Sequence, residues 1–323
     1  MSEVYVGIDL GGTNIKFGVF DSEMDLIAKD AIRFDAQMEP AAVIEQMAQA
    51  IEKMLSANGL SADDVAYIGW GNPGPAKYKE GIIEAATNLP RFRNTPVAKM
   101  LSERLGKPVV FENDANVACW GEHACGAGKG VDDMIFFTLG TGIGGGIINK
   151  GKLLVGCGDN AAELGHLIIY GNGRQCNCGQ RGCAEAYGSA SHTAGRAMEE
   201  LEAGAESSLQ KIYKEKGEVT CKEVFEAMKA GDAFAEKIVD GTAEALALLC
   251  INSLHFTEPS RIVFAGGMIA AGDVLLKKIR EQFDKHIWHL RKETVEICFA
   301  TLGEDAGIIG AAALARQMNN EAG

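Results

Sequence analysis

Proline and basic residues are scarce in this 323-residue sequence, and long hydrophobic runs are missing from it. Only 7 prolines accompany 40 glycines, which excludes a Pro/Gly low-complexity chain and leaves the glycines to be explained. The 31 lysines and arginines are outnumbered by 44 acidic residues, so the net charge is −13. Because such an acidic surface repels phosphate backbones and anionic lipids, we expect neither a nucleic acid nor a membrane as partner.

We expect no membrane span, no signal peptide and no disulfide framework in this sequence. The most apolar helix-like stretch, residues 243–256, is interrupted by polar residues, and the start MSEVYVGIDLGG has no basic region and no apolar run. Of the nine cysteines, three are crowded into residues 176–183 and six are scattered. This distribution predicts a cytoplasmic protein with a metal site, in which the scattered thiols are core residues.

Length and hydrophobic patterning predict two α/β domains. The length corresponds to roughly two domains, and the 47% hydrophobic content is sufficient for more than one core. Residues 4–20 are typical of two strands around a GGTN turn, and residues 133–149 repeat the pattern around GTGIGGG. Later segments alternate helices with strands, which indicates α/β layers. The repeat predicts duplicated domains whose two glycine turns face one cleft.

Neither of two familiar phosphate-binding motifs fits the second glycine turn. Gly140, Gly142 and Gly145 match GxGxxG, but a strand follows where the dinucleotide motif requires a helix. GIINKGKL approaches the P-loop pattern, but Leu153 occupies the position of the magnesium-binding Ser or Thr.

The glycine turns themselves remain as candidate anion sites, because glycine lets backbone N–H groups approach a phosphate closely. Thr13 and Thr141 add hydroxyl donors, Lys16 adds a positive charge, and the carboxylate of Asp9 suits magnesium. A third glycine pair follows the predicted strand 261–264 and is a candidate site for a flat base. The nucleotide-side candidates are Asp9, Gly11, Gly12, Thr13, Lys16, Thr141, Gly142, Gly266 and Gly267.

One histidine and three cysteines lie within 18 residues and form the most specific motif of the chain. They are His166, Cys176, Cys178 and Cys183. One imidazole and three thiolates suit a closed tetrahedral zinc site, with no position left for an activated water. The alternative, a cluster of core thiols, is disfavoured because the interleaved glycines offer little apolar surface.

Asp114 follows the predicted strand 107–111 and begins a small-residue helix. A carboxylate at the end of a strand suits a general base, whereas an Asp before an alanine-rich helix is also a favoured N-cap. Both roles are compatible, and we expect the helix N-terminus to favour the ionised form.

The motifs Asp9-Leu-Gly-Gly-Thr-Asn, Leu139-Gly-Thr-Gly and Gly266-Gly267 resemble the nucleotide elements of the actin-like, ribonuclease H-like ATPases. The rest of the sequence, including the zinc motif, narrows the resemblance to the sugar kinases of the ROK family. The resemblance implies two ribonuclease H-like domains around a central cleft, with a zinc-binding loop. The predicted domains are residues 1–122 with 304–323, and residues 123–303.

The resemblance also implies roles for individual residues. Asp114 is the implied base toward the sugar 6-hydroxyl, the zinc is structural, and His166 serves both the zinc and the sugar. The implied sugar contacts are Gly74, Thr87, Asn88, Asn113, Asp114, Glu163, His166 and Glu185.

The implied activity is ATP- and magnesium-dependent phosphorylation of an aldohexose, glucose first, by a homodimer. Kinases for N-acetylglucosamine, N-acetylmannosamine, mannose or fructose stay open, since the same groups bind most hydroxyl patterns. A sugar-sensing repressor is disfavoured by the charge and because the first strand begins close to Met1. An actin-like assembly protein is disfavoured by the zinc motif and the sugar-side residues.

Overall fold

The computed structural model describes residues 3–12, 14–35, 37–85, 89–289 and 295–322. The chain packs into two compact units, each built from several segments. The first comprises Met1–Gly130, Leu153–Ala161 and Thr301–Gly323, and the second Val131–Lys152 and Ala162–Ala300. The predicted domain limits differ from these units in residues 123–130, 153–161 and 301–303, and as limits of domains they stay a prediction.

The first unit is a five-stranded mixed sheet covered by helices. The strands of this sheet are β1 (Val4–Leu10), β2 (Asn14–Phe20), β3 (Leu26–Arg33), β4 (Val65–Asn72) and β7 (Val109–Asn113). The short strands β5 (Ala76–Lys77) and β6 (Ile82–Ile83) pair with each other in a separate two-stranded sheet. The helices of this unit are α1 (Pro40–Ala57), α2 (Val97–Leu105), α3 (Asp114–Cys125) and α10 (Ala306–Ala322). The sheet order is β3-β2-β1-β4-β7, in which β1 runs antiparallel to β2 and parallel to β4.

Glycines on the central strands allow α10 to pack directly on the sheet. A Cβ atom on Gly7 of β1 would lie 1.9 Å from the carbonyl oxygen of Ile308, and one on Gly69 of β4 equally close to that of Ala311. Real Cβ atoms do not approach backbone this closely, so only glycine fits at these two positions. Part of the high glycine content therefore serves helix–sheet packing, a use that the sequence analysis did not foresee.

The second unit contains another five-stranded mixed sheet and most of the helices. Its strands are β8 (Met134–Leu139), β9 (Ile143–Asn149), β10 (Lys152–Leu153), β11 (Arg261–Ala265) and β12 (Glu296–Phe299). Its helices are α4 (Glu185–Gly188), α5 (Ala190–Glu202), α6 (Leu209–Lys216), α7 (Cys221–Lys229), α8 (Ala233–Thr257) and α9 (Asp273–His286). The sheet order is β10-β9-β8-β11-β12, and every residue of β8 is buried except the half-buried Thr138.

The two sheets repeat one topology, which confirms the predicted α/β class. In each, an antiparallel hairpin with a glycine turn pairs through its first strand with a parallel strand: β1–β2 with β4, and β8–β9 with β11. The hairpins begin and end within two residues of the limits predicted from the sequence.

The scattered cysteines only partly meet the expectation of core residues. Cys119 and Cys250 are buried, and Cys125, Cys221 and Cys298 are half-buried, but Cys157 is exposed on the loop after β10. Gly156 and Gly158 flank Cys157 there and have no side chains that could cover its thiol. Among the helices that the structure describes, none combines the length and apolar character needed to cross a membrane.

Candidate active site

Two carboxylates of the first unit lie near each other at the carboxyl end of its sheet. Asp9 belongs to β1, and Asp114 directly follows β7; because β1, β4 and β7 are parallel, their ends share one edge. Burial raises the pKa of Asp9, the negative charge of Asp114 raises it further, and Lys16 opposes the shift. Two neighbouring carboxylates that disfavour each other's charge are a donor pair suited to a hard cation such as magnesium.

Asp114 was predicted from the sequence as a possible N-cap of α3, but it lies in the first turn of that helix. The cap is Asn113, whose backbone is extended and whose Oδ1 accepts hydrogen bonds from the N–H groups of Ala115 (2.9 Å) and Asn116 (3.1 Å). Asp114 Oδ1 also accepts from Ala115 N, at 2.9 Å. The side-chain amide of Asn113 therefore caps the helix, and the Asp114 carboxylate is accessible to solvent.

The pKa of Asp114 is raised, contrary to the expectation that the helix N-terminus would dominate. Although the side chain reaches solvent, surrounding protein atoms displace part of its water, and this desolvation outweighs the hydrogen bond from Ala115 N that lowers the pKa. A raised pKa makes the carboxylate a better proton acceptor than a free aspartate, which suits a general base.

A polar network supports the Asn113–Asp114 pair from behind. Glu112 Oε1 accepts hydrogen bonds from the backbone N–H of Asn113 (2.8 Å) and from Asn116 Nδ2 (3.0 Å). Asn113 Nδ2 donates to the hydroxyl of Tyr78 at 3.2 Å. Gly74 lies in the turn after β4, and a Cβ atom there would be 3.2 Å from the Tyr78 hydroxyl. The predicted sugar contacts Thr87 and Asn88 lie outside the described residues.

The first glycine turn connects β1 to β2 and is narrow. Gly11 N donates to Asn14 O at 3.0 Å, and Gly12 has open space where a side chain would be. Lys16 Nζ donates to the carbonyl oxygen of Glu304 at 3.1 Å. Thr13, the predicted hydroxyl donor of this turn, lies outside the described residues.

The second glycine turn connects β8 to β9, and Glu185 contacts it. Glu185 Oε2 accepts a hydrogen bond from Ile143 N at 2.9 Å, and a Cβ atom on Gly142 would lie 2.4 Å from the same oxygen. Thr141 is exposed at the tip of the turn. Glycine at position 142 thus allows the acidic side chain to approach the turn, a contact that the sequence motifs did not predict.

His166 and the three cysteines form a compact cluster in the second unit. One ligand atom from each of the four residues lies within 4.8 Å of the other three. His166 Nδ1 is 3.7 Å from Cys176 Sγ, and Cys178 Sγ is 3.7 Å from Cys183 Sγ. Two sulfur atoms bound to one tetrahedral zinc at about 2.3 Å would be about 3.8 Å apart, so the donor set and its spacing fit zinc.

Glu185 also contacts this cluster. Its Oε1 is 3.5 Å from Cys176 Sγ, while its Oε2 holds Ile143 N. His166 ends a short 3-10 turn, Leu164–His166, and Glu163 directly precedes that turn with an exposed side chain. A Cβ atom on Gly165 would lie 2.2 Å from Ile143 O, so the turn packs against β9. The predicted residues Glu163, His166 and Glu185 are therefore neighbours of the same hairpin.

A cavity of about 220 Å³ lies beside the third glycine pair. Residues of α7 and of the 3-10 helix Gly267–Ala271, which begins at the second glycine of the pair, line this cavity. The apolar walls include Phe225 and Met268, and the charged side chains of Lys222 and Glu226 lie on the same lining. A mostly apolar slot with a few polar groups suits a flat heterocycle.

Gly266 and Gly267 are expected to differ in their tolerance of alanine. Gly266 has φ +87°, and an added Cβ would lie 2.5 Å from Leu139 O, whereas a Cβ on Gly267 meets nothing within 4 Å. Gly266→Ala should therefore lower the free energy of unfolding by about 1–3 kcal/mol, through strain at a positive φ. Gly267→Ala should change it by less than about 0.5 kcal/mol. Urea unfolding measures both; equal effects would contradict the described geometry.

Comparison with known proteins gives matches over nearly the whole chain. The sequence model of the ROK family matches residues 5–318. A glucokinase from Halalkalibacterium halodurans is 39% identical over 317 residues, which cover 98% of this chain and 96% of the relative. A glucokinase from Thermotoga maritima is 35% identical and covers 97% of each chain.

Solved structures of the same kind share the fold. A ROK hexokinase from Thermus thermophilus has a TM-score of 0.86 at 30% identity, covering 99% of this chain and 100% of the other. A ROK family glucokinase from Streptomyces griseus, solved in complex with glucose and AMPPNP, has a TM-score of 0.76 at 33% identity and covers 97% and 99% of the two chains.

Proposed function

Because the chain belongs to the ROK family, we propose that it is a hexose kinase that transfers the γ-phosphoryl group of ATP to the 6-hydroxyl of glucose. The observation that carries the proposal is the near-full-length similarity to glucokinases, one of them solved with glucose and AMPPNP. The ribonuclease H-like organisation around a central cleft, implied by the resemblance, is part of this proposal.

Asp114 is the proposed general base. Its carboxylate is accessible to a substrate hydroxyl, and its raised pKa favours acceptance of the hydroxyl proton as the oxygen attacks the γ-phosphorus. Phosphoryl transfer depends mainly on positioning and on stabilisation of charge, so a modest base is sufficient.

Asp9 is the proposed carboxylate for magnesium. When bound to the nucleotide phosphates, magnesium offsets their charge during transfer. Asp9 fits this role because it is partly buried, close to a second carboxylate and at the end of the strand that leads into the first glycine turn. The N–H groups of the turns at Gly11, Gly12, Thr141 and Gly142, with Thr13 and Lys16, are the proposed phosphate contacts. Gly266 and Gly267 are the proposed adenine contacts.

The proposed hexose contacts come from several loops. Asn113 and Asp114 are held by the network behind them, and Gly74 lies close to that network. Glu163, His166 and Glu185 surround the hairpin of β8 and β9, and His166 directs Nδ1 toward the thiols, which leaves Nε2 for a sugar hydroxyl. Thr87 and Asn88 complete the proposed set.

We propose structural zinc for the cluster of His166, Cys176, Cys178 and Cys183. These four residues would fill all positions of a tetrahedral zinc ion, which would hold the loop 164–183 in shape and leave no position for a reacting water. A homodimer and a cytoplasmic location complete the proposal; they are supported by the family resemblance and by the nine free cysteines.

A side-by-side hexose panel tests the proposed substrate. We expect glucose to have the highest kcat/KM with ATP, above mannose, fructose, N-acetylglucosamine and N-acetylmannosamine, and the product to be the 6-phosphate. Discrimination of about 10-fold or more is expected where a competing hexose leaves a buried polar group unpaired. A higher kcat/KM for an N-acetylhexosamine would replace glucose as the substrate, and no turnover of any hexose would overturn the kinase proposal.

A further inference from the structure

The hydroxyl group of Tyr78 joins the ends of two neighbouring strands immediately before Asp114. It accepts a hydrogen bond from Asn113 Nδ2 at 3.2 Å, and it donates to the carbonyl oxygen of Asn72 at 3.5 Å. Asn72 ends β4 and Asn113 ends β7, and the two residues are partners in the parallel register. One phenol therefore connects the last residues of both strands at the edge that carries the catalytic carboxylate.

The ring of Tyr78 is held firmly, which keeps the hydroxyl in place. Tyr78 is only 4% exposed, and its ring packs on that of Phe111 with centroids 5.7 Å apart. Phe111 lies in β7 two residues before Asn113 and also contacts Trp70 of β4 edge-on. Because the ring is anchored on the strands whose ends its hydroxyl connects, the hydroxyl has little freedom relative to Asn113.

This contact determines which way the amide of Asn113 faces. Its Oδ1 accepts two N–H groups at the start of α3, from Ala115 and Asn116, and its Nδ2 can then donate to an acceptor on the opposite side. Tyr78 supplies that acceptor. The second N–H of Nδ2 is left to donate elsewhere, for example to a substrate hydroxyl.

We propose that Tyr78 is a positioning residue for hexose binding, which acts through Asn113. It fixes the amide so that one side caps α3, which starts with Asp114, while the other side presents a donor to the sugar. The inference rests on the proposed hexose kinase function and adds to it a residue that no motif of the sequence singled out. Tyr78 itself touches neither reacting group and takes no part in proton transfer.

Tyr78→Phe tests the proposal because it removes the hydroxyl and keeps the ring. We expect kcat/KM for glucose to fall about 3- to 10-fold, the effect of losing one net hydrogen bond. Most of the loss should be a higher KM for glucose, since Asn113 contacts the sugar before and during transfer. KM for ATP should not change, because the nucleotide contacts are on other turns.

Tyr67→Phe is the matched control. Tyr67 lines the same cavity of about 510 Å³ as Tyr78, and its hydroxyl makes no hydrogen bond to the residues that the structure describes. The kinetic constants of Tyr67→Phe should equal those of the wild type. Unchanged constants in Tyr78→Phe would overturn the proposal, as would equal increases in KM for glucose and ATP, which indicate a general structural defect.

A double-mutant cycle tests whether Tyr78 acts through Asn113. Asn113→Ser keeps a good N-cap acceptor and removes the donor to Tyr78. The Kd for glucose is measured by calorimetry without ATP. It should be no higher in the double variant Tyr78→Phe/Asn113→Ser than in Asn113→Ser alone. Additive effects would overturn the proposal. If Asn113→Ser binds glucose too weakly to measure, the KM comparison in Tyr78→Phe decides. If the wild type phosphorylates glucose and Tyr78→Phe has the same kinetic constants, only this inference is overturned. The proposed function is then unaffected.

Discussion

Asp114→Asn is expected to lower kcat for glucose phosphorylation by about 10²- to 10⁴-fold, the usual contribution of a positioned general base. The amide has nearly the shape of the carboxylate, and its oxygen can still accept the hydrogen bond from Ala115 N that Asp114 Oδ1 accepts at 2.9 Å. KM for ATP should change little, because the substitution removes only the proton acceptor. A coupled assay at saturating ATP measures the loss.

The same substitution should leave the fold intact. Because Asp114 reaches solvent, Tm should stay within about 2 °C of the wild type, as for most accessible positions. The sign of the small remaining effect follows from the raised pKa. The folded state binds this proton more tightly than the unfolded state, so the wild type loses stability relative to the variant as pH rises through the folded-state pKa.

The pH dependence of the wild type gives an independent check. As the proposed base, Asp114 accepts a proton only when ionised, so we expect kcat/KM to fall as pH decreases through its pKa, which lies above the usual aspartate value of 3.8. Asp63→Asn is the control for Asp114→Asn, because it also removes one negative charge and Asp63 is exposed. This variant should keep full activity. A kcat near the wild-type value in Asp114→Asn would reject the assignment of the base.

Cys178→Ser is expected to release the zinc and to destabilise the second unit. A serine hydroxyl is a poor zinc ligand at neutral pH, and the three remaining ligands are too few for a closed tetrahedral site. Structural zinc contributes about 10–16 kcal/mol of binding free energy in small domains. We therefore expect bound zinc, measured by mass spectrometry of metals, to fall from one per chain to near zero, and Tm to fall by about 10 °C or more.

Activity should fall together with the zinc. The loop carries His166, and Glu185 connects Cys176 to the N–H of Ile143 in the glycine turn, so disorder of the loop reaches two proposed substrate contacts. Cys157→Ser is the matched control, because Cys157 is exposed and is not one of the four residues of the cluster. Full zinc content and normal Tm in Cys178→Ser would contradict the proposed site.

The predictions that depended on short, regular patterns were confirmed. The alternating residues of 4–20 and of 133–149 form the hairpins β1–β2 and β8–β9, because each pattern pairs with its own neighbour across a short turn. The CxC spacing with His166 likewise places four ligand atoms together, because the bridges Ile168–Cys183 and Gln175–Arg181 fold this segment back on itself. Helices α5 and α6 were not predicted; their buried residues are few, with only Leu209 buried in α6.

Buried polar groups illustrate what the sequence pattern missed. Glu122 is fully buried in α3, a position that patterning alone assigns to apolar residues. Its carboxylate accepts hydrogen bonds from the N–H groups of Ala127, Thr301 and Leu302 at 2.7 to 3.1 Å. A buried carboxylate is stable only with such donors, and two of them are about 180 residues away in the chain.

The amino-acid sequence by itself determined the elements of this protein whose geometry is local: the glycine hairpins, the zinc-type cluster and the helix that starts beside Asp114. Tertiary structure alone decided which residue caps that helix, that Asp9 and Asp114 are neighbours, that Glu185 holds the second turn, and that Tyr78 orients Asn113. The physical reason is that hydrogen bonds and desolvation depend on what surrounds a group in space. Those surroundings come from strands and loops that are far apart in the sequence, so sequence spacing does not predict them.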